Sequence, residues 1–266
     1  MLRILAIWLL GALGAHLPLV AGGNISSVPQ TATDGPSVSS VLPPDVAPGM
    51  PQRLRVRGCF PDGEVSARLT GLDVPVSLRV VDFFRTASKG GQDRETRAGS
   101  CELVIELTLP AGTPHGTNVA LVVESSRGDS EPYPLWIAAA GRVVSESEPN
   151  DQFESAPSYP EGQIVRGSLA TEEDEDVYRV KLLAGQTMRA QVWSARFGLP
   201  LDATLGLHDR LGMALMLMDD GEGTGADPVL EFQAPADGPV LLAVRRQEGS
   251  PWGETAAYLL DVEIIP

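Results

Sequence analysis

Apolar and polar residues alternate with a period of two in short runs along most of this chain, and each run ends in Gly, Pro or Asp. Leu54 and Val56 alternate with Arg53, Arg55 and Arg57, while Leu103, Ile105, Leu107 and Leu109 share a face with Cys101. Val119, Leu121 and Val123 repeat the pattern. It returns at Tyr178, Val180 and Leu182, at Ala203, Leu205 and Leu207, and at Leu230, Phe232 and Ala234. Val240, Leu242 and Val244 follow, then Tyr258, Leu260, Val262 and Ile264. This period sends one side of an extended strand into a core and the other into water. Beyond the first two dozen residues no 3.6-residue apolar stripe is sustained, so helix is expected to be scarce. At 266 residues, 43% of them apolar, the chain can build two cores. The expectation is an all-β chain: two β-sandwich domains in series, over residues 36–140 and 141–266.

The N-terminus reads as an address. One positive charge, Arg3, precedes an apolar run over residues 4–15, which is shorter than the roughly 20 residues a spanning helix needs. Ala21, Gly22 and Gly23 offer a cleavage point. Residues 1–21 are therefore expected to be a signal peptide, and 22–35, small and polar, a linker. Nothing downstream is apolar for long enough to span a membrane. The expected location is secreted, or periplasmic in the cell envelope. With 20 basic and 35 acidic residues the net charge is −15, which leaves no basic footprint for nucleic acid. The imbalance is uneven. Residues 24–144 carry eleven basic and thirteen acidic side chains, whereas 145–266 carry eight and twenty-two.

Catalytic signatures are missing. The three histidines, His16, His115 and His208, form no zinc or triad spacing, and no nucleophile elbow occurs. No catalytic residue is assigned, and the chain is read as a non-enzyme. Cys59 and Cys101, both in the first expected domain, are read as a disulfide suited to an oxidising compartment. Cys59 is out of phase with Leu54 and Val56, so this pairing requires a bulge at Gly58.

The acidic cluster is the constellation with chemical content. Glu146, Glu148 and Asn150 are spaced by two, which puts three oxygen-bearing side chains on one side of an extended segment, and Asp151 follows. Asp174 and Asp176 repeat the spacing inside Glu172-Glu173-Asp174-Glu175-Asp176. Hard oxygen donors in this number suit calcium. The same residues also fit a solvated hairpin, with Asp151 and Glu154 as a capping box.

Two resemblances add to this reading. Glu148-Pro149-Asn150-Asp151, Gly167-Ser168-Leu169, Asp174-Glu175-Asp176-Val177-Tyr178, Ala184-Gly185-Gln186 and Asp202-Ala203-Thr204-Leu205 stand in the order of a bacterial pre-peptidase C-terminal (PPC) domain. The second half resembles that family, which implies a jelly-roll-like β-sandwich. In some of its members, collagen-binding modules of clostridial collagenases, the corresponding acidic positions bind calcium at an interdomain linker. The first half is similar to an IPT/TIG-type immunoglobulin-like domain, through Val38-Ser39-Ser40-Val41-Leu42-Pro43-Pro44, Val56-Arg57-Gly58-Cys59-Phe60 and Leu109-Pro110-Ala111-Gly112. Together they imply an exported, non-catalytic binding or structural protein whose partner is an extracellular polymer or protein. The alternative is an accessory or propeptide-like subunit of a separate secreted peptidase. Trp193, Trp252 and Tyr159 are the aromatic candidates for contact, or for core packing.

Overall fold

The computed structural model describes residues 35–73, 76–85, 101–221 and 223–266. The expected signal peptide, nearly all of the expected linker and residues 86–100 lie outside the described residues.

Among the described residues, nine strands form the first half: β1 (Ser37–Leu42), β2 (Asp45–Val46), β3 (Pro51–Cys59), β4 (Val65–Thr70), β5 (Ser77–Arg85), β6 (Cys101–Thr108), β7 (Asn118–Ser125), β8 (Gly128–Asp129) and β9 (Tyr133–Ile137). They make two sheets, ordered β1-β3-β6-β5 and β2-β9-β7-β4, with β8 paired to β7. Leu54, Val56, Leu103, Ile105 and Leu107 from one sheet pack against Leu121, Val123, Leu135 and Ile137 from the other. The arginines that alternate with Leu54 and Val56 face outward, as the period requires.

Nine more strands among the described residues form the second half: β10 (Val143–Ser145), β11 (Ile164–Ser168), β12 (Asp176–Leu182), β13 (Thr187–Trp193), β14 (Ala203–His208), β15 (Ala214–Met218), β16 (Val229–Gln233), β17 (Gly238–Arg246) and β18 (Ala257–Ile265). The sheets are β10-β11-β18-β13-β16 and β12-β17-β14-β15. Tyr178, Val180, Met188, Val192, Leu205, Leu207, Leu242 and Leu260 meet between them. The architecture is all-β, two sandwiches in series, and the only helical element among the described residues is a single 3₁₀ turn, Ala195–Phe197.

The two sandwiches also share apolar contacts. Leu42 and Trp136 of the first pack with Ile164, Trp193, Phe197, Leu199 and Leu259 of the second. The Trp136 and Trp193 rings meet edge to face, with centroids 5.2 Å apart. Asp45, buried in β2, accepts from Arg166 Nη1 on β11 at 2.8 Å. Trp193 is thus part of a junction. Tyr159 is buried, with its hydroxyl among the backbone groups of Gln163, Leu260 and Val262, and Trp252 alone of the three candidate contact aromatics is exposed.

The disulfide expectation is corrected. No disulfide joins Cys59 and Cys101. The β3–β6 register runs unbroken from Pro51↔Thr108 to Gly58↔Cys101, without the bulge that pairing required. Cys101 therefore points inward with Leu103, while Cys59 lies on the outer face with the arginines. The irregularity near this strand falls instead in β1, between Val38 and Ser40.

Candidate functional site: a carboxylate cluster around a buried aspartate

The acidic residues named from spacing converge at one end of the second sandwich, across both of its sheets. Glu146 follows β10, whose parallel pairing with β11 runs from Val143↔Ile164 to Ser145↔Arg166. The Glu146 N–H donates to Arg166 O at 2.9 Å, and Glu146 Oε1 accepts from Ser168 N at 2.8 Å. Asp176 opens β12 in the opposite sheet. Val177 N donates to Asn150 O at 3.0 Å, which holds the 148–151 segment against that strand.

Oxygens of Glu146, Glu148 and Asp176 lie within 4.8 Å of one another, and so do those of Glu148, Asp151 and Asp174. Glu148 belongs to both groups and joins them. Asn150 sits among them, its N–H donating to Glu148 Oε2 at 3.0 Å. All six residues singled out by spacing are therefore brought together. The run over 172–176 is divided by direction: Glu172 pairs with Arg246 and Glu175 with Arg245, while Asp174 and Asp176 turn to the cluster. Asp174 also accepts from the Ala170 N–H.

Two tyrosines complete the site. Tyr258 donates to Asp176 Oδ2 at 2.7 Å and lies 2.8 Å from the Tyr178 hydroxyl. Both hydroxyls are 3.3 Å from Glu146 Oε2. Gly167, opposite Tyr258 in the β11–β18 pair, leaves room for this arrangement. A Cβ there would fall 2.3 Å from Glu146 Oε2 and 2.4 Å from the Tyr258 hydroxyl. Tyr178, Tyr258 and Gly167 have no assigned role in the sequence reading. Tyr178 and Tyr258 do stand at the heads of two apolar faces, and a buried phenol needs a polar partner.

Burial dominates the electrostatics. Asp176 is fully buried and Asn150 nearly so, and Asp176 Oδ1 and Asn150 Oδ1 have no hydrogen-bond partner among the described residues. Burial, then the nearby Glu146 carboxylate, pushes the Asp176 carboxyl up to about 9. Burial also raises Glu146, with the Glu148 charge adding to it, and raises Glu148, helped by Asp174 and Asp151. The other buried carboxylates among the described residues each face an arginine: Asp45 has Arg166, Glu102 has Arg55 and Arg57, and Asp227 has Arg196. Asp176 forms no such ion pair among the described residues and faces further carboxylates.

A third acidic group, Asp202, Asp219 and Asp220, is more exposed. His208 is buried in β14, where its ring meets Phe153 edge to face at 4.6 Å and Nδ1 lies 3.2 Å from Gly212 O. It packs there as a structural group. His115 lies on an exposed turn of the other sandwich.

No protein-family model matches this sequence, and no curated protein does. Among solved structures, the chain is similar to the pre-peptidase C-terminal domain of a collagenase from Bacillus anthracis, with 20% identity and a TM-score of 0.30 over 38% of this chain and 88% of that one. It is also similar to SGBP-B of a Bacteroides ovatus mixed-linkage glucan utilization locus, solved in complex with a mixed-linkage heptasaccharide. That likeness has 11% identity and a TM-score of 0.27 over 86% of this chain and 74% of the other. Carbohydrate-binding modules of a β-sandwich superfamily match at 12% identity and a TM-score of 0.22, over 87% and 98% of the two chains.

Proposed function

We propose that this chain is an exported, non-catalytic binding module whose second sandwich is held by a calcium ion, and that its partner is an extracellular polymer or protein. One observation carries the calcium assignment. Asp176 is a fully buried carboxylate with an unpartnered oxygen, and its neighbours are acids. Burying like charges together without a counter-ion is unfavourable, and a divalent cation removes that cost. The donors are hard oxygens from Glu146, Glu148, Asn150, Asp151, Asp174 and Asp176, a set that suits calcium and lacks the nitrogen or sulfur ligands zinc prefers. Glu146 and Glu148 lie just past the connection between the sandwiches, so the ion would also tie the first turn of the second sandwich to β12. The engagement of His208 in packing supports a binding role over a catalytic one.

The test is calorimetric titration with calcium, together with thermal melts in calcium and in chelator. Exported modules hold calcium with dissociation constants of about 10⁻⁴ to 10⁻³ M. At ten times such a constant, binding adds about 1.4 kcal/mol of stability. That corresponds to roughly 4–8 °C in Tm for a domain of this size. Asp176→Asn keeps an acceptor for Tyr258 and is expected to lose the calcium response. A wild-type protein indifferent to calcium would refute the assignment.

A further inference from the structure

β15 is the edge of its sheet, paired on one side with β14. Its hairpin exposes an unusual amount of apolar surface. Leu211 is 77% exposed, Met213 67% and Leu217 66%, with Leu215 and Met216 also exposed. Five of the eleven exposed large apolar side chains among the described residues thus fall within seven positions. Soluble chains scatter such residues singly, and a cluster of them on an open edge marks a contact surface.

The charges flanking this strand say which partner fits. Arg210 lies exposed at the tip of the β14–β15 turn, ordered by Asp209, whose Oδ1 accepts from Leu211 N at 2.8 Å and Met213 N at 2.9 Å. Asp219 and Asp220 lie exposed at the other end. A strand with a cation before its apolar stretch and two anions after it is complementary to its own antiparallel copy. We propose that β15 mates with β15 of a second copy of this chain across a two-fold axis near Leu215. In that arrangement Arg210 of each copy faces Asp220 of the other, and Met213 faces Leu217. The β14–β15 register shifts between Leu207 and His208, which leaves Leu215 without an opposite residue. Side chains, rather than a continuous ladder, therefore carry the contact. Three of the chain's six methionines, Met213, Met216 and Met218, lie here, and their flexible thioethers fill an irregular seam. Two such hairpins would remove on the order of 1,000 Å² from water, the lower bound for a specific interface. The symmetry is isologous, so the contact closes at two copies.

Sedimentation velocity over a concentration series tests this. The wild-type protein is expected to pass from monomer to dimer, and Met213→Lys/Leu217→Lys is expected to remain a monomer. Arg210→Asp sets acid against acid at both ends and should weaken the dimer by roughly tenfold. Arg210→Asp/Asp220→Arg restores opposite charges and should recover most of that loss. A wild-type monomer at every concentration overturns the proposal, as does a dimer that survives the lysine pair or a charge swap that recovers nothing. Flotation of a monomer with phosphatidylcholine vesicles would give the hairpin to a lipid surface and overturn it equally.

Discussion

Glu102 in the first sandwich and Asp176 in the second are both carboxylates taken almost wholly out of water, yet their surroundings are opposite. Glu102 lies across from Arg57 in the β3–β6 ladder and receives Arg55 Nε at 2.9 Å, Arg55 Nη2 at 3.0 Å and Arg57 Nε at 3.1 Å. Its hydrogen bond from Arg55 holds the carboxyl below its usual range despite burial. Asp176 receives one phenol and faces Glu146 and Glu148, and its carboxyl is driven up. The first site is complete within the chain. The second has no cationic partner among the described residues, and the calcium proposal rests on that contrast.

The largest effect that would sharpen this contrast comes from a compensated acid. Asp227 is fully buried and receives Ser194 N, Ala195 N, Arg196 N and Arg196 Nε at 2.7–3.1 Å. Asp227→Ala strands three N–H groups and a guanidinium, and is expected to cost about 3–5 kcal/mol in urea unfolding. Asp176→Asn, measured in chelator at neutral pH, should stay within about 1 kcal/mol of wild type, because the amide resembles the protonated acid. Equal losses in the two variants would break the comparison.

Next in size is pH dependence, where the two regions have opposite signs. Asp176 has a folded pKa of about 9, above its unfolded value, so the folded state binds the extra proton between the two. Without metal, this contribution is full in acid and is lost as pH rises towards 9, with a slope of at most about 1.4 kcal/mol per pH unit. Calcium should abolish the decline, and its affinity should rise with pH by up to about tenfold per unit, since binding displaces the proton. Glu102 has a depressed pKa, so its contribution is present above the unfolded value near pH 4 and is lost as pH falls below it. Melts in chelator and in calcium across the pH range would show both arms. A metal-free protein that grows more stable towards pH 9 would contradict the first.

The smallest expected effect lies between the sandwiches. Arg55 also reaches Glu254 Oε2 at 2.6 Å, but that glutamate side chain is 64% exposed. Glu254→Ala should therefore cost less than about 1 kcal/mol by urea unfolding. A loss as large as that of Asp227→Ala would move weight from the cores and the Trp136–Trp193 contact to this surface pair.

Period-two alternation was enough to predict the sandwiches, because strand phase follows from which residues avoid water, and the outward Arg53, Arg55 and Arg57 follow with it. The convergence of the acidic residues was likewise legible, since two-residue spacing puts Glu146 and Glu148 on one side and separates Asp174 and Asp176 from Glu175. The disulfide failed on the same logic. Phase placed Cys59 outward, and the bulge needed to reverse that does not occur.

Local pattern therefore decided which side of each strand every residue takes, because that choice is made within a few residues by the pleat. It could not decide which strands become neighbours, since pairing depends on long-range closure between segments far apart in the chain. The meeting of Tyr258 with Asp176 spans 82 positions and that of Asp45 with Arg166 spans 121. Only the tertiary structure shows that Asp45, Glu102 and Asp227 each find an arginine while Asp176 finds further carboxylates. The edge position of β15 belongs to the same class: sheet order, set by pairings distant in the chain, leaves its apolar residues in water.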